Sequence, residues 1–235
     1  EATGNIIILP ETILPTDIKE RPLFHTLQNI SEKNQQSLLA GSFIHQSNTY
    51  NGSYFIRPNS SPIEYKKQRL MPFGETLPMR SILSRIIPSH LLFNDFEHGT
   101  TAIDIPINDT VNLRPLICLE AIYGHFYASP HNSAIAILAN NAWFNHSTAG
   151  SKLLKFAQVH AAEFQTSVLL STNFGQSAII SPTGALIQSA KHQNADILTH
   201  TIQTKSRPSI YHQWPWAGTL PPSGPARPPC RRTWT

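Results

Sequence analysis

Three ionisable residues lie just beyond runs of apolar, strand-like sequence. Glu11 follows "IIILP", Lys67 lies in the loop after an Asn51-Gly52 hairpin signal, and Cys118 closes "LRPLI". A carboxylate, an ammonium and a thiol form a set that can carry out covalent catalysis. A thiol with a pKa of ~8.5 is mostly protonated near neutrality, so it needs a base or a positive neighbour to attack efficiently. Glu11 is the candidate base, able to take the thiol proton and return it to a leaving group. Lys67 can favour the thiolate and stabilise the oxyanion of a tetrahedral intermediate. In α/β sheets such groups gather at the carboxyl ends of strands, where loops meet in one crevice. Singly, none is diagnostic. Free cysteine is among the most buried residue types. Glu11 alone reads as a cap or loop carboxylate, and Lys67, beside Lys66 and Arg69, as a solvated surface charge.

The elements that must position these residues are legible in outline. "NIIILP" (5–10) is a continuous apolar run of strand length, and "SLLAGSFIHQ" (37–46) is a second. "RPLFHTLQNISEKNQQ" (21–36) has weak helical spacing. In "TYNGSYFIRP" (49–58), Asn51-Gly52 predicts a hairpin turn between strands. "IEYKKQRLMPFGETLPM" is polar, basic and broken by Pro72, Gly74 and Pro78, so it is expected to be a structured loop. "TAIDIPI", "VNLRPLIC" and "SAIAILANNAWF" are further strands, the last running into a polar, aromatic loop. "GSKLLKFAQVHAAEFQ" (150–165) places Leu153, Leu154, Ala157, Ala161 and Phe164 at helical spacing. "TSVLLSTNFGQSAIISPTGALIQSA" reads as strand, loop, strand, tight turn at Pro182-Thr183-Gly184, strand. The alternation predicts an α/β class with a mixed sheet.

Composition narrows the function classes. The 235 residues are 40% hydrophobic and 14% charged, enough for a sizeable core and against wholesale disorder. The net charge of +4 is mild and its bases are scattered, which argues against a nucleic-acid partner. Two cysteines, Cys118 and Cys230, exclude a disulfide scaffold. Neither they nor the eleven histidines form a zinc pattern. No apolar run is long enough to span a membrane, and no signal peptide is visible. Residues 206–235, rich in Pro, Arg and Trp, are expected to be extended or disordered beyond a catalytic domain at 1–205. The start at "EATGNIIILPE", without methionine, reads as a piece of something longer.

"LPE", "YKKQRLMPFGE", "ICLEAIYG", "NNAWF" and "STNFGQSAIISPTG", in that order, resemble the nitrilase (carbon-nitrogen hydrolase) superfamily. More narrowly, the "PFGE" and "NNAWF" blocks resemble the periplasmic catalytic domain of the apolipoprotein N-acyltransferases. The resemblance covers roughly residues 5 to 190. It implies an α-β-β-α sandwich, here expected to lack its first strand-helix unit, with Glu11 as base, Lys67 as oxyanion stabiliser and Cys118 as nucleophile. Glu75 and Glu120 match further acidic positions of that active site. The implied reaction moves a fatty acyl chain from a phospholipid donor through a cysteine thioester to the α-amine of a lipoprotein acceptor, with no metal or organic cofactor. It implies a domain on the periplasmic side of a bacterial inner membrane, attached through helices absent from this chain.

Some positions depart from that branch: Gln158 and His160 replace arginines, Asn141 replaces an aspartate and Asn145 a glycine. An acyltransferase-like relative encoded with conjugal-transfer functions fits nearly as well. Two alternatives stay open, a soluble cytoplasmic amidase-like hydrolase and an inactive fragment of either enzyme.

Overall fold

The computed structural model describes residues 5–17, 22–83, 85, 95–128, 133–142, 147–190 and 195–202, which build two mixed sheets. In the first, β1 (Ile6–Ile8) runs parallel to β3 (Ser37–His45), and β2 (Leu14–Asp17) runs parallel to the same strand further along. Helix α1 (Pro22–Asn34) provides the crossover, while β4 (Thr49–Ile56) and β5 (Ile63–Lys66) continue the sheet antiparallel. A short helix α2 (Arg80–Leu83) follows. The second sheet has the order β11-β10-β9-β8-β7-β6, from β6 (Ile105–Pro106), β7 (Asn112–Ile117), β8 (Ser133–Asn140), β9 (Val168–Asn173), β10 (Ala178–Ile180) and β11 (Leu186–Ser189). Its central strands β7, β8 and β9 are parallel, and helix α3 (Ala149–Phe164) joins β8 to β9.

Strand alternation sorts the apolar side chains into three layers. Leu39 and Phe55 of the first sheet meet Leu113, Ala134, Ala136 and Leu138 of the second, so the sheets pack face to face. The alternate residues Leu38, Tyr54 and Ile56 point outward onto Phe24 and Leu27 of α1. Ile135 and Ile137 point outward onto Leu153, Leu154, Ala157 and Ala161 of α3. The result is the α-β-β-α sandwich that the resemblance implies. Helix α3 ends where the spacing predicts: Gln165 turns left-handed (φ 51°) and its N–H donates to Ala161 and Ala162 carbonyls.

Three expectations are corrected. Asn51-Gly52 is not a turn, because β4 runs through it and the reversal lies between His45 and Thr49. Gly52 is there for room: a Cβ would stand 2.4 Å from Ile44 Cδ1 and 2.5 Å from the Tyr65 carbonyl. The stretch beginning at Ile63 is not all loop, since Ile63–Lys66 pairs with β4. Its basic character hid a sheet-edge strand. "TAIDIPI" contributes only the two residues of β6. Strand β2, with its Pro15, gave no periodic signal and was not anticipated. The 206–235 tail, Trp143, Phe144 and Asn145 lie outside the described residues.

Candidate active site

Glu11 owes its position to an interruption in an edge. Strands β1 and β2 flank the same side of β3, and between them the chain leaves the sheet over Gly41. A Cβ on Gly41 would lie 2.5 Å from the Pro10 carbonyl and 2.6 Å from Glu11 Cα, so only glycine admits this excursion. Thr12 completes it in a left-handed conformation (φ 42°). The Glu11 carboxylate accepts from the Asn140 backbone N–H at 2.8 Å, from Asn51 Nδ2 at 2.7 Å and from Lys67 Nζ at 3.1 Å. Asn140 ends β8, so this carboxylate ties the two sheets together.

Lys67 stands immediately after β5, where the chain leaves the antiparallel β4–β5 pair. Its N–H donates to the Asn51 carbonyl at 2.8 Å, and its own carbonyl accepts from Gly99 at 2.8 Å. The side chain is 1% exposed, and Nζ lies 3.1 Å from Glu11 Oε1 and 2.9 Å from Glu75 Oε2. Glu75 is held in turn by the Met71 N–H at 2.7 Å. Burial works against the charge on Lys67, but Glu11, Cys118 and Glu75 outweigh it and hold the ammonium well above the ordinary lysine range. With one N–H given to each carboxylate, one remains.

Cys118 caps β7 with a left-handed backbone (φ 48°), uncommon outside glycine, and opens a 3-10 turn over Cys118–Ile122. Glu120 fixes that turn from behind. Its carboxylate accepts from the Ile117 N–H at 2.7 Å, the Gln68 N–H at 2.6 Å and the Tyr65 hydroxyl at 2.9 Å. The fully buried Glu120 therefore joins the Cys118 turn to the segment just beyond Lys67. Burial raises its pKa, against the lowering effect of those same hydrogen bonds. The Cys118 thiol is pushed up to about 12, first by burial, then by Glu11 and Glu75, with Lys67 opposing. Two carboxylates on one ammonium leave a net negative charge beside the sulfur. Burial and this charge balance both favour the thiol over the thiolate.

The fold thus brings Glu11, Lys67, Glu75 and Cys118 into one cluster and puts Glu120 behind the Cys118 turn. Sequence reasoning missed Asn51 and the Asn140 amide. A polar residue inside the β-branched and aromatic run of β4 was a signal for the first, masked by the turn reading. Among the described residues no group of three or more His, Cys, Asp or Glu is placed to hold a metal ion.

Residues 3–210 match the family described as carbon-nitrogen hydrolase. The chain belongs to that family. The chain is 29% identical over 202 residues to the apolipoprotein N-acyltransferase of Aquifex aeolicus, covering 84% of this chain and 45% of the relative. It is 28% identical over 183 residues to the apolipoprotein N-acyltransferase of Helicobacter pylori, covering 76% and 42%. The chain spans somewhat under half the length of these relatives. Among solved structures it resembles a CN-hydrolase superfamily protein from Xanthomonas campestris (TM-score 0.62, 14% identity, 95% of this chain and 87% of the other). It also resembles an amidase from Nesterenkonia sp. (TM-score 0.62, 12% identity, 90% and 80%). These two likenesses show the shared nitrilase-superfamily fold.

Proposed function

We propose that this chain is the catalytic domain of an N-acyltransferase that works through a thioester on Cys118. In the first step Sγ attacks the ester carbonyl of a phospholipid while Glu11 takes the thiol proton. The remaining Lys67 N–H meets the oxyanion. As the tetrahedral intermediate collapses, the ester C–O bond breaks, Glu11 returns the proton to the departing lysophospholipid oxygen, and the acyl group stays on sulfur. In the second step the α-amine of a lipoprotein N-terminal cysteine attacks the thioester and gives a proton to Glu11. The C–S bond breaks and that proton returns to Sγ. Glu75 anchors Lys67, and Glu120 holds the Cys118 turn. Such substrates place the domain against the periplasmic face of an inner membrane.

The observation that supports a lipid substrate is a set of exposed apolar side chains on the segment that carries Glu75, on α2 and just after β9. Phe73 and Met79 are each 67% exposed, in the segment that carries Glu75 and runs into α2. Ile82 of α2 is exposed too, as is Phe174, which follows β9. Large apolar side chains left in water on these segments suit an acyl chain or a lipid surface. The names of the Aquifex and Helicobacter relatives support the same reading. The alternative is an amidase-like hydrolase, in which water resolves the thioester.

The test uses the full-length protein with phosphatidylethanolamine vesicles and intact-mass spectrometry. Wild type should gain one acyl mass on Cys118, and Cys118→Ala should gain none. Glu11→Gln and Lys67→Ala should lose thioester formation. Added diacylglyceryl-cysteine peptide should collect the acyl group. An unmodified Cys118 in folded wild type overturns the reading. Release of free fatty acid at the same rate with and without peptide establishes the hydrolase instead.

A further inference from the structure

We infer that Asn51 is a positioning residue of this site, its side-chain amide holding Glu11 and Glu75 together on the Lys67 ammonium. The inference rests on the roles proposed above for Glu11 and Cys118, and deepens them. Asn51 lies inside β4, paired with Phe43 of β3, and is 3% exposed. Its Nδ2 donates to Glu11 Oε1 at 2.7 Å and also to Glu75 Oε1. Both amide hydrogens are therefore used by the two carboxylates that also hold Lys67 Nζ. The same residue's backbone carbonyl accepts the Lys67 N–H. Asn51 thus bonds both carboxylates through its side chain and the Lys67 backbone through its own carbonyl, without contributing a charge.

Its other half is left unsatisfied: Oδ1 is buried with no hydrogen-bond partner. Turning the amide over would not cure this, because Oδ1 would then face two carboxylate oxygens. A buried strand position with no role beyond packing favours an apolar side chain over an amide with an orphaned carbonyl. The orphan is retained because both N–H groups are needed where they are. Two carboxylates on one ammonium leave excess negative charge, and uncharged donors meet it while keeping both oxygens in place. An aspartate has the same shape but has neither N–H and adds a third negative charge.

Asn51→Asp, Asn51→Ser and wild type, each full-length and checked for folding by circular dichroism and melting, separate these roles. The first readout is alkylation of Cys118 by iodoacetamide across pH, followed on its own peptide by mass spectrometry. The second is kcat and KM for acyl transfer from phosphatidylethanolamine. Asn51→Asp should slow alkylation near neutrality by about tenfold and move its pH dependence upward, since an added carboxylate disfavours the thiolate. Its kcat should fall by roughly a hundredfold with KM nearly unchanged, the signature of misplaced reacting groups. Asn51→Ser, which keeps one donor, should fall between. A folded Asn51→Asp or Asn51→Ser with the wild-type alkylation profile and kcat overturns the inference. The alkylation needs no acyl donor, so a wild type that phospholipid fails to acylate counts against the transferase and leaves the Asn51 result standing.

Discussion

Cys118 combines a left-handed backbone with a thiol held protonated far above its ordinary range. The turn places Cys118 at the cluster, where burial and the neighbouring carboxylates disfavour ionisation; in the proposed mechanism Glu11 takes the proton. This has a consequence for stability. The unfolded chain loses its thiol proton near 9, whereas the native state keeps it to about 12. Between those values the native state binds more protons, so stability falls as pH rises, by up to about 1.4 kcal/mol per pH unit from this group. Urea unfolding at a series of alkaline pH values should show wild type losing ground steadily to Cys118→Ser. Parallel curves for the two proteins would show that the native thiol is not held back. Glu120 lies behind the same turn, hydrogen-bonded to Ile117, Gln68 and Tyr65. The Ile117, Gln68 and Arg69 N–H groups and the Tyr65 hydroxyl all donate to it, so Glu120→Gln brings an NH2 group against N–H groups. It should lower stability by ~1–3 kcal/mol in thermal melts and slow thioester formation in the same preparation. An unchanged melting temperature would remove it from this role.

At the scale of elements, Glu11 depends on a glycine it does not touch through any polar atom. Strand β3 is paired along its whole length with β4, but its other edge is shared by β1 and β2 with a gap over Gly41. Gly41→Ala inserts a methyl 2.5 Å from the Pro10 carbonyl, well inside contact distance. The Glu11 loop must move outward. A shift near 1 Å at a reacting group costs on the order of a hundredfold in rate, so acylation of Cys118 should drop by about that factor while the protein stays folded. Wild-type acylation in Gly41→Ala would mean that the loop has slack. The same scale explains the Asn51-Gly52 error. Asn-Gly favours a turn when local backbone preference decides. Here Gly52 must pass Ile44 and Tyr65 closely, and Asn51 faces two carboxylates, so tertiary contacts override the local signal.

At the scale of the molecule, the site exists because two sheets meet. Glu11, Lys67 and Glu75 come from the first sheet and its following loop, while Cys118, Glu120 and Asn140 come from the second. The exposed Phe73, Met79 and Ile82 follow the first sheet in the chain, and Phe174 follows β9 of the second. Replacing Phe73, Met79 and Ile82 together by serine removes apolar area from an exposed surface, so the fold should be nearly unaffected. Binding to phospholipid vesicles, measured by co-sedimentation, should weaken by roughly tenfold or more, with Cys118 alkylation unchanged. Equal vesicle binding by the variant and wild type would detach these side chains from lipid.

The sequence by itself determined the class of fold and the order Glu11, Lys67, Cys118. Apolar runs of strand length and the 3.6-residue spacing of α3 are local properties, and each candidate followed such a run. Glu75 and Glu120 were also legible, through short motifs. Tertiary structure alone decided what these residues do to one another. Asn51 reaches Glu11 across 40 positions and Asn140 reaches it across 129, separations that no window of sequence spans. Only the packed sandwich buries Glu11, Lys67 and Glu75 together and sets one ammonium against two carboxylates. That burial and charge balance keep Cys118 a thiol, because desolvation and nearby charge act through space rather than along the chain.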